Sequence, residues 1–269
     1  KATYDESLKN LIFLKTKDNI RIAAAYYSAK VETKKTILYS HANAEDLGIL
    51  EKTAMELTSF TKANVLMYDY EGYGLSSPYS QTSEQKCYND IDAAYKYLIQ
   101  IKGCLPKDII IFGKSLGSGP STYLANRLSN EDDNTNTNTN TNIDTDTDNR
   151  LLNSNNKTPP GGLILQSPLL SVYRVFSDFR FTLPGDMFSN IDKIKNVKCP
   201  IFIIHGTKDE VVPFWNGEML FCNCDPNYRC KPLWVHNAGH NDIEMVCGIS
   251  EGNGNGNGNG NGNGNGNGN

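Results

Sequence analysis

The sequence predicts a single α/β domain: a mostly parallel central sheet of about eight strands with helices on both faces. Three observations predict it. Short, nearly continuous apolar runs recur along the chain, separated by amphipathic ones. An initial pair of runs has the spacing of a hairpin. And once two segments too polar to fold are set aside, about 220 of the 269 residues remain, a length that suits one domain.

The elements follow in order. NLIFLKT (10–16) and NIRIAAAYY (19–27) flank the polar turn Lys17-Asp18 and read as the hairpin. TILYSH (36–41), NVLMYDY (64–70), DIIIFG (108–113), GLILQS (162–167), PIFIIHG (200–206) and PLWVHN (232–237) are short and apolar throughout, as in strands buried on both faces. In 46–60, Leu47, Leu50, Ala54, Leu57 and Phe60 recur at helical spacing. In 83–102, Tyr88, Ile91, Tyr95, Leu98 and Ile101 do the same, with Thr82-x-x-Gln85 placed as a capping box. Strand–helix alternation gives a parallel sheet, whose ligands bind at the carboxyl ends of the strands.

Two segments are expected to stay disordered: the asparagine–threonine-rich insert 129–157 and the nine Gly-Asn repeats of 252–269. The formal charge is −4, and the insert, with six acids and two bases, carries all of it. The rest of the chain is neutral and has no basic stripe, which excludes nucleic acid as an expected partner. The insert joins a helix that leads away from the strands' carboxyl ends, so it reads as a solvated spacer remote from any site there. The segment 168–199 leaves from the site end instead and reads as a short cap. Its Leu169, Leu170, Val172, Phe176, Phe179, Phe181, Leu183, Met187 and Phe188 suit either an acyl groove or ordinary core packing.

Seven cysteines in a chain of this size do not suggest a disulfide framework, and a reducing compartment is expected. No run of apolar residues is long enough to span a membrane, and no signal peptide is visible. Cys222, Cys224, Cys230, His236 and His240 match no common zinc spacing, so no metal and no cofactor are expected. His236 reads as a residue of the last strand.

The chemistry concentrates in DIIIFGKSLGSGP (108–120). Gly-Lys-Ser invites a phosphate loop, but that loop needs a glycine five positions before Gly113, where Asp108 stands in the strand. Glycines at 113, 117 and 119 are also in the wrong order for a dinucleotide turn. Gly-x-Ser-x-Gly between a strand and a helix fits a nucleophile elbow instead. There Ser115 is lifted above the sheet, and Gly113 and Gly117 make room for the strained turn. The helix 116–128 then follows, and the Leu116 amide faces the substrate oxygen. A serine needs a base, and the order in such folds is Ser, acid, His. Asp209 follows the strand PIFIIHG within H-G-T-x-D, and His240 follows the last strand. Glu210 is the adjacent alternative acid. The loop after TILYSH supplies the second oxyanion donor, for which the Asn43 amide is nominated.

These residues resemble the α/β-hydrolase superfamily. Beyond the elbow, YSHANAEDLG, MYDYEGYGLSS, NDIDAAYKYL, IFGKSLGSGPS, LQSPLLS, FSNIDKI, FIIHGTKDEVV and PLWVHNAGHNDIE resemble the alpha/beta hydrolase domain-containing protein 17 group, from about residue 36 to 245. The resemblance implies a serine hydrolase that removes long-chain acyl groups from cysteine thioesters on membrane-associated proteins. It also implies Ser115 as nucleophile, Asp209 as acid and His240 as base, in a cytoplasmic protein peripheral at the cytosolic face of membranes. Three features depart from the group. Ala42 stands where the group has glycine, which would cost about 1–2 kcal/mol if that position needs positive φ. The group's N-terminal cysteine-rich, acylated segment has no counterpart in this sequence. The helix after His240 stops near Ile249, leaving one sheet edge less covered. A lipid esterase shares the same triad, a serine peptidase of this fold is a third reading, and a non-catalytic scaffold would be expected to lack a triad member.

Overall fold

The computed structural model describes residues 2–77, 80–130, 158–176 and 184–247. The expectations placed on 131–157, on the Gly-Asn tail, and on Phe179, Phe181 and Leu183 lie outside those residues. So does the side chain of Phe176.

Both runs of the hairpin form strands, β1 (Leu11–Lys15) and β2 (Arg21–Tyr27), paired antiparallel with Leu14 opposite Ile22. The remaining apolar runs form β3 (Thr36–Ser40), β4 (Asn64–Tyr68), β5 (Ile109–Lys114), β6 (Gly162–Gln166), β7 (Ile201–Gly206) and β8 (Leu233–Val235). The sheet order is β1-β2-β4-β3-β5-β6-β7-β8. From β4 to β8 all neighbours are parallel, and only the β2–β4 and β1–β2 pairs are antiparallel. This is the mostly parallel eight-stranded sheet that the alternation of runs predicts.

Side-chain alternation divides the sheet into two faces. Ile37, Tyr39, Val65, Met67 and Phe112 pack with Leu47, Leu50 and Ala54 of α1 (Leu47–Thr61). Leu38, Leu66, Ile111, Leu163 and Ile203 face the other way, into a larger core. That core includes Ile91 and Leu98 of α2 (Glu84–Gln100) and Leu124 of α3 (Ser118–Asn130). It also holds Ile194 of α4 (Asn190–Ile194) and Leu220 of α5 (Trp215–Asn223). Each fully buried Leu or Ile contributes roughly 1.5–3 kcal/mol of transfer free energy.

Several boundaries move. The α2 cap is Ser83, whose hydroxyl accepts from the Lys86 amide; Thr82 instead lies by the Cys87 thiol. Both residues can cap, and the choice falls to whichever has extended backbone at the first turn. Ile101 and Phe60, at the ends of their helices' apolar stripes, are 70% and 57% exposed. Residues 129 and 130 belong to α3: Ser129 is buried, accepting from the Lys198 amide and donating to the Ala125 carbonyl. His236 lies in the turn just past β8 and is exposed.

One buried acid has a measurable consequence. Asp90 of α2 accepts from the Glu71 amide at 2.8 Å, and its other oxygen has no partner among the described residues. Burial pushes its carboxyl up to about 7; the Glu71 carboxylate adds to the rise, against the pull of that amide and of Lys86. An acid with a raised pKa holds its proton more tightly in the folded state. Its effect on stability is therefore nil below the ordinary carboxylate range, and grows unfavourable as pH rises from about 4 to about 7. Asp90→Asn is accordingly expected to raise the melting temperature by a few degrees at pH 8 and hardly at all at pH 4. Thermal melts at both values test this, and an equal shift at the two would contradict it.

Candidate active site

β5 ends at Lys114, a tight 3-10 turn covers Ser115–Gly117, and α3 begins at Ser118. The expected strand–turn–helix is thus present, with its helix starting later than residue 116. Ser115 sits at φ 52°, a left-handed conformation that costs a β-carbon-bearing residue on the order of 1 kcal/mol or more. The glycines make it possible. A β-carbon at Gly113 would meet the Gly117 carbonyl oxygen at 2.5 Å, and one at Gly117 would collide with the carbonyls of Ser40 and His41. The elbow therefore lies directly against the end of β3.

Asp209 and His240 arrive from the ends of β7 and β8. Asp209 lies three residues past β7, and His240 five past β8. Gly206 lets the two loops close, since a β-carbon there would meet the carbonyls of Ala238 and Gly239. His240 Nδ1 is 2.8 Å from Asp209 Oδ2, and His240 Nε2 is 3.0 Å from Ser115 Oγ. The carboxylate accepts, so Nδ1 carries the hydrogen. That leaves the Nε2 lone pair to accept from the serine hydroxyl. All three residues are buried.

Asp209 is held on every side. The amides of Val211 and Val212 donate to Oδ1 at 3.0 and 2.7 Å. His205 Nε2 lies 3.2 Å from Oδ2 and 2.9 Å from the Val212 carbonyl oxygen, which can only accept, so this nitrogen also carries hydrogen. Burial alone would raise the Asp209 carboxyl. The bonds from His205, His240 and the Val212 amide outweigh it and hold the group well below the usual carboxylate range. The acid stays ionised wherever the imidazole needs it. Glu210, the alternative acid, is elsewhere: its Oε2 accepts from the His240 backbone amide at 3.3 Å, and among the described residues it makes no hydrogen bond to the imidazole.

The loop 41–46 runs past the elbow. It forms a turn in which the Glu45 amide reaches the Ala42 carbonyl at 3.4 Å and Asn43 stands at the apex. Tyr73 donates to Asn43 Oδ1 at 2.6 Å, and so does the Ala44 amide at 3.0 Å. The positive φ of this loop falls at Ala44 (62°), not at Ala42, so alanine at 42 carries no left-handed strain. The amides of Asn43 and Leu116 donate to no acceptor among the described residues. That is the condition both must meet to bind a substrate oxyanion.

The cap resolves largely toward core. Leu169, Leu170 and Phe188 are buried, and Phe188 lies on Gly119 and meets Tyr88 edge-on. Tyr173 and Met187 remain exposed. No cluster of three or more potential metal ligands occurs among the described residues. His205 is a site residue that no motif in the sequence marks. Its signal was position, a histidine in a buried strand one residue before the glycine that seats the His240 loop.

No protein-family model matches the chain. Among known proteins, it is 38% identical over 226 residues to alpha/beta hydrolase domain-containing protein 17B of Xenopus tropicalis, covering 84% of this chain and 67% of that one. It is 36% identical over 236 residues to protein 17C of Mus musculus, covering 87% of this chain and 63% of the relative. Among solved structures, an alpha-beta serine hydrolase homologue from Coxiella burnetii superposes with a TM-score of 0.62 at 13% identity, over 92% of this chain and 96% of that one.

Proposed function

The chain belongs to the alpha/beta hydrolase domain-containing protein 17 family and has the Ser-His-Asp arrangement of a serine hydrolase, and from that premise we propose that it cleaves long-chain acyl thioesters of S-acylated, membrane-associated proteins. The observation that carries the catalytic part is His240, bridging Ser115 at 3.0 Å and Asp209 at 2.8 Å. In this reading His240 takes the Ser115 proton as Oγ attacks the thioester carbonyl carbon. The oxyanion of the tetrahedral intermediate is received by the amides of Leu116 and Asn43. The carbon–sulfur bond then breaks, and the cysteine sulfur leaves with the proton from His240. Water, deprotonated by the same imidazole, hydrolyses the acyl-enzyme to free fatty acid and regenerates Ser115.

The substrate class rests on the family resemblance and on the surface around the site. Tyr173, Met187, Val211 and Met245 are exposed on segments that leave the carboxyl ends of β6, β7 and β8, the end where Ser115 lies. Exposed apolar side chains at that end of the sheet suit an acyl chain presented from outside. No described helix is long and apolar enough to cross a membrane. In this reading, by the family resemblance, the contact with membranes is peripheral and at their cytosolic face.

The test is hydrolysis of a palmitoyl-cysteine peptide beside a palmitoyl glycerol ester, with wild type and Ser115→Ala. Preferential thioester cleavage that disappears in the variant is the expected result. Cleavage of the glycerol ester with little thioester turnover would replace this substrate class with a lipid ester and leave the triad standing.

A further inference from the structure

Lys114, which made the turn resemble a phosphate loop, has a partner. Its Nζ donates to Glu45 Oε1 at 3.0 Å. The pair is only 13% and 18% exposed at its side chains, so both charges are largely withdrawn from water. Glu45 is occupied at both ends, because its Oε2 accepts from the Ala42 amide at 2.9 Å. One carboxylate therefore closes the turn that carries Asn43 and, with its other oxygen, ties that turn to the residue preceding Ser115.

A second tie lies close by in sequence. Gly117 touches the backbone carbonyls of Ser40 and His41 without room for a β-carbon. The two ties, 114 to 45 and 117 to 40–41, bracket two short stretches of chain. One is Ser115-Leu116 and the other Ala42-Asn43-Ala44. Each stretch holds one of the two amides that have no acceptor. Asn43 is two residues before Glu45, and Leu116 two after Lys114. The backbone tie fixes one end of this ring and cannot set the other, since 42–46 is loop. At the far end the Tyr73 hydroxyl holds the Asn43 side chain, and the ion pair is the contact that ties the turn to the elbow itself.

We propose that Lys114 and Glu45 are a positioning pair: their ion pair sets the separation of the Leu116 and Asn43 amides, and so acts on the transition state and not on substrate binding. Neither side chain needs to touch substrate. The inference rests on the reading of Ser115 as nucleophile with those two amides as its oxyanion donors. Donors aimed at a developing charge lose much of their effect when displaced by an ångström, a loss on the order of a hundredfold at most.

The experiment uses purified full chain with a p-nitrophenyl acyl ester, measuring kcat and KM separately. The variants are Lys114→Met, Glu45→Gln, the double variant, Lys114→Arg and Ser115→Ala. Glu45→Gln retains an acceptor for the Ala42 amide, so it removes the charge while keeping the turn. The expected result is a kcat lowered roughly ten- to hundredfold in each of the first two, with KM nearly unchanged. The double variant should be no worse than the poorer single one, as for two groups acting through one contact. Lys114→Arg should retain most of the activity. Fluorophosphonate labelling of Ser115 should slow in parallel with kcat. Unchanged kcat, a rise in KM alone, or losses that multiply in the double variant would each overturn the proposal while the nucleophile assignment stood. Wild-type turnover equal to that of Ser115→Ala would overturn both together. If Lys114→Met does not fold, Glu45→Gln decides.

Discussion

Replacing Ser115 by alanine is expected to lower ester or thioester turnover on the order of 10⁴-fold or more and to abolish covalent labelling by a fluorophosphonate. The substitution removes one oxygen from a buried turn whose backbone is already committed. Alanine at φ 52° carries about the same left-handed strain as serine, so the melting temperature should stay close to that of the wild type. The whole loss therefore reports chemistry: His240 Nε2, 3.0 Å away, would have no hydroxyl proton to accept. Because the three residues act as a unit, His240→Ala should cost about as much, and the double variant little more. Initial rates beside labelling settle the matter. Turnover in Ser115→Ala within tenfold of wild type would remove Ser115 from the role of nucleophile.

The second large effect is expected at Asp209 and contrasts it with its neighbour. Asp209→Asn should lower kcat roughly 10⁴-fold, and Glu210→Gln only a few-fold. The carboxylate oxygens of Asp209 meet nothing but donors: two amides at Oδ1, and the ring nitrogens of His205 and His240 at Oδ2. An asparagine must turn its NH₂ group toward one pair or the other. Facing the histidines, it drives the hydrogen of His240 from Nδ1 to Nε2, where the imidazole can no longer accept from Ser115. Facing the Val211 and Val212 amides, it opposes donor to donor and disturbs the turn that holds residue 209 in place. Glu210 offers no such leverage, since its contact is with the His240 backbone and glutamine preserves an acceptor there. Steady-state kinetics of both variants on one substrate test the contrast. Equal losses at 209 and 210 would mean that the acid had been assigned to the wrong carboxylate.

Much of this was legible in the chain because it is local. The elbow is a strand, a turn and a helix within a dozen residues, and its glycines are needed for reasons that a few neighbouring atoms impose. The inner strands are apolar throughout because both faces are covered; that pattern identified six of the eight, and hairpin spacing the other two. Asp209 and His240 followed from the order of acid and base along such a fold, each just beyond a strand. The sequence was less informative where two residues were equally suited to one task. Ser83 and Thr82 are both caps, and the backbone at the helix start chose between them. Ile101 and Phe60 continue the helical stripes in sequence, yet both side chains are exposed.

The sequence by itself determined the sheet and the elbow with its serine, since periodicity and turn chemistry act over a few positions, and it left Asp209 and Glu210 as candidate acids beside His240. Only the tertiary structure decided which carboxylate faces the imidazole, that His205 is the second histidine on Asp209, and that Lys114 is bound to Glu45 and not to a phosphate. Those contacts join residues by the crossing of loops at the sheet's carboxyl edge. No spacing in the chain encodes which side chain of a loop turns toward its neighbour.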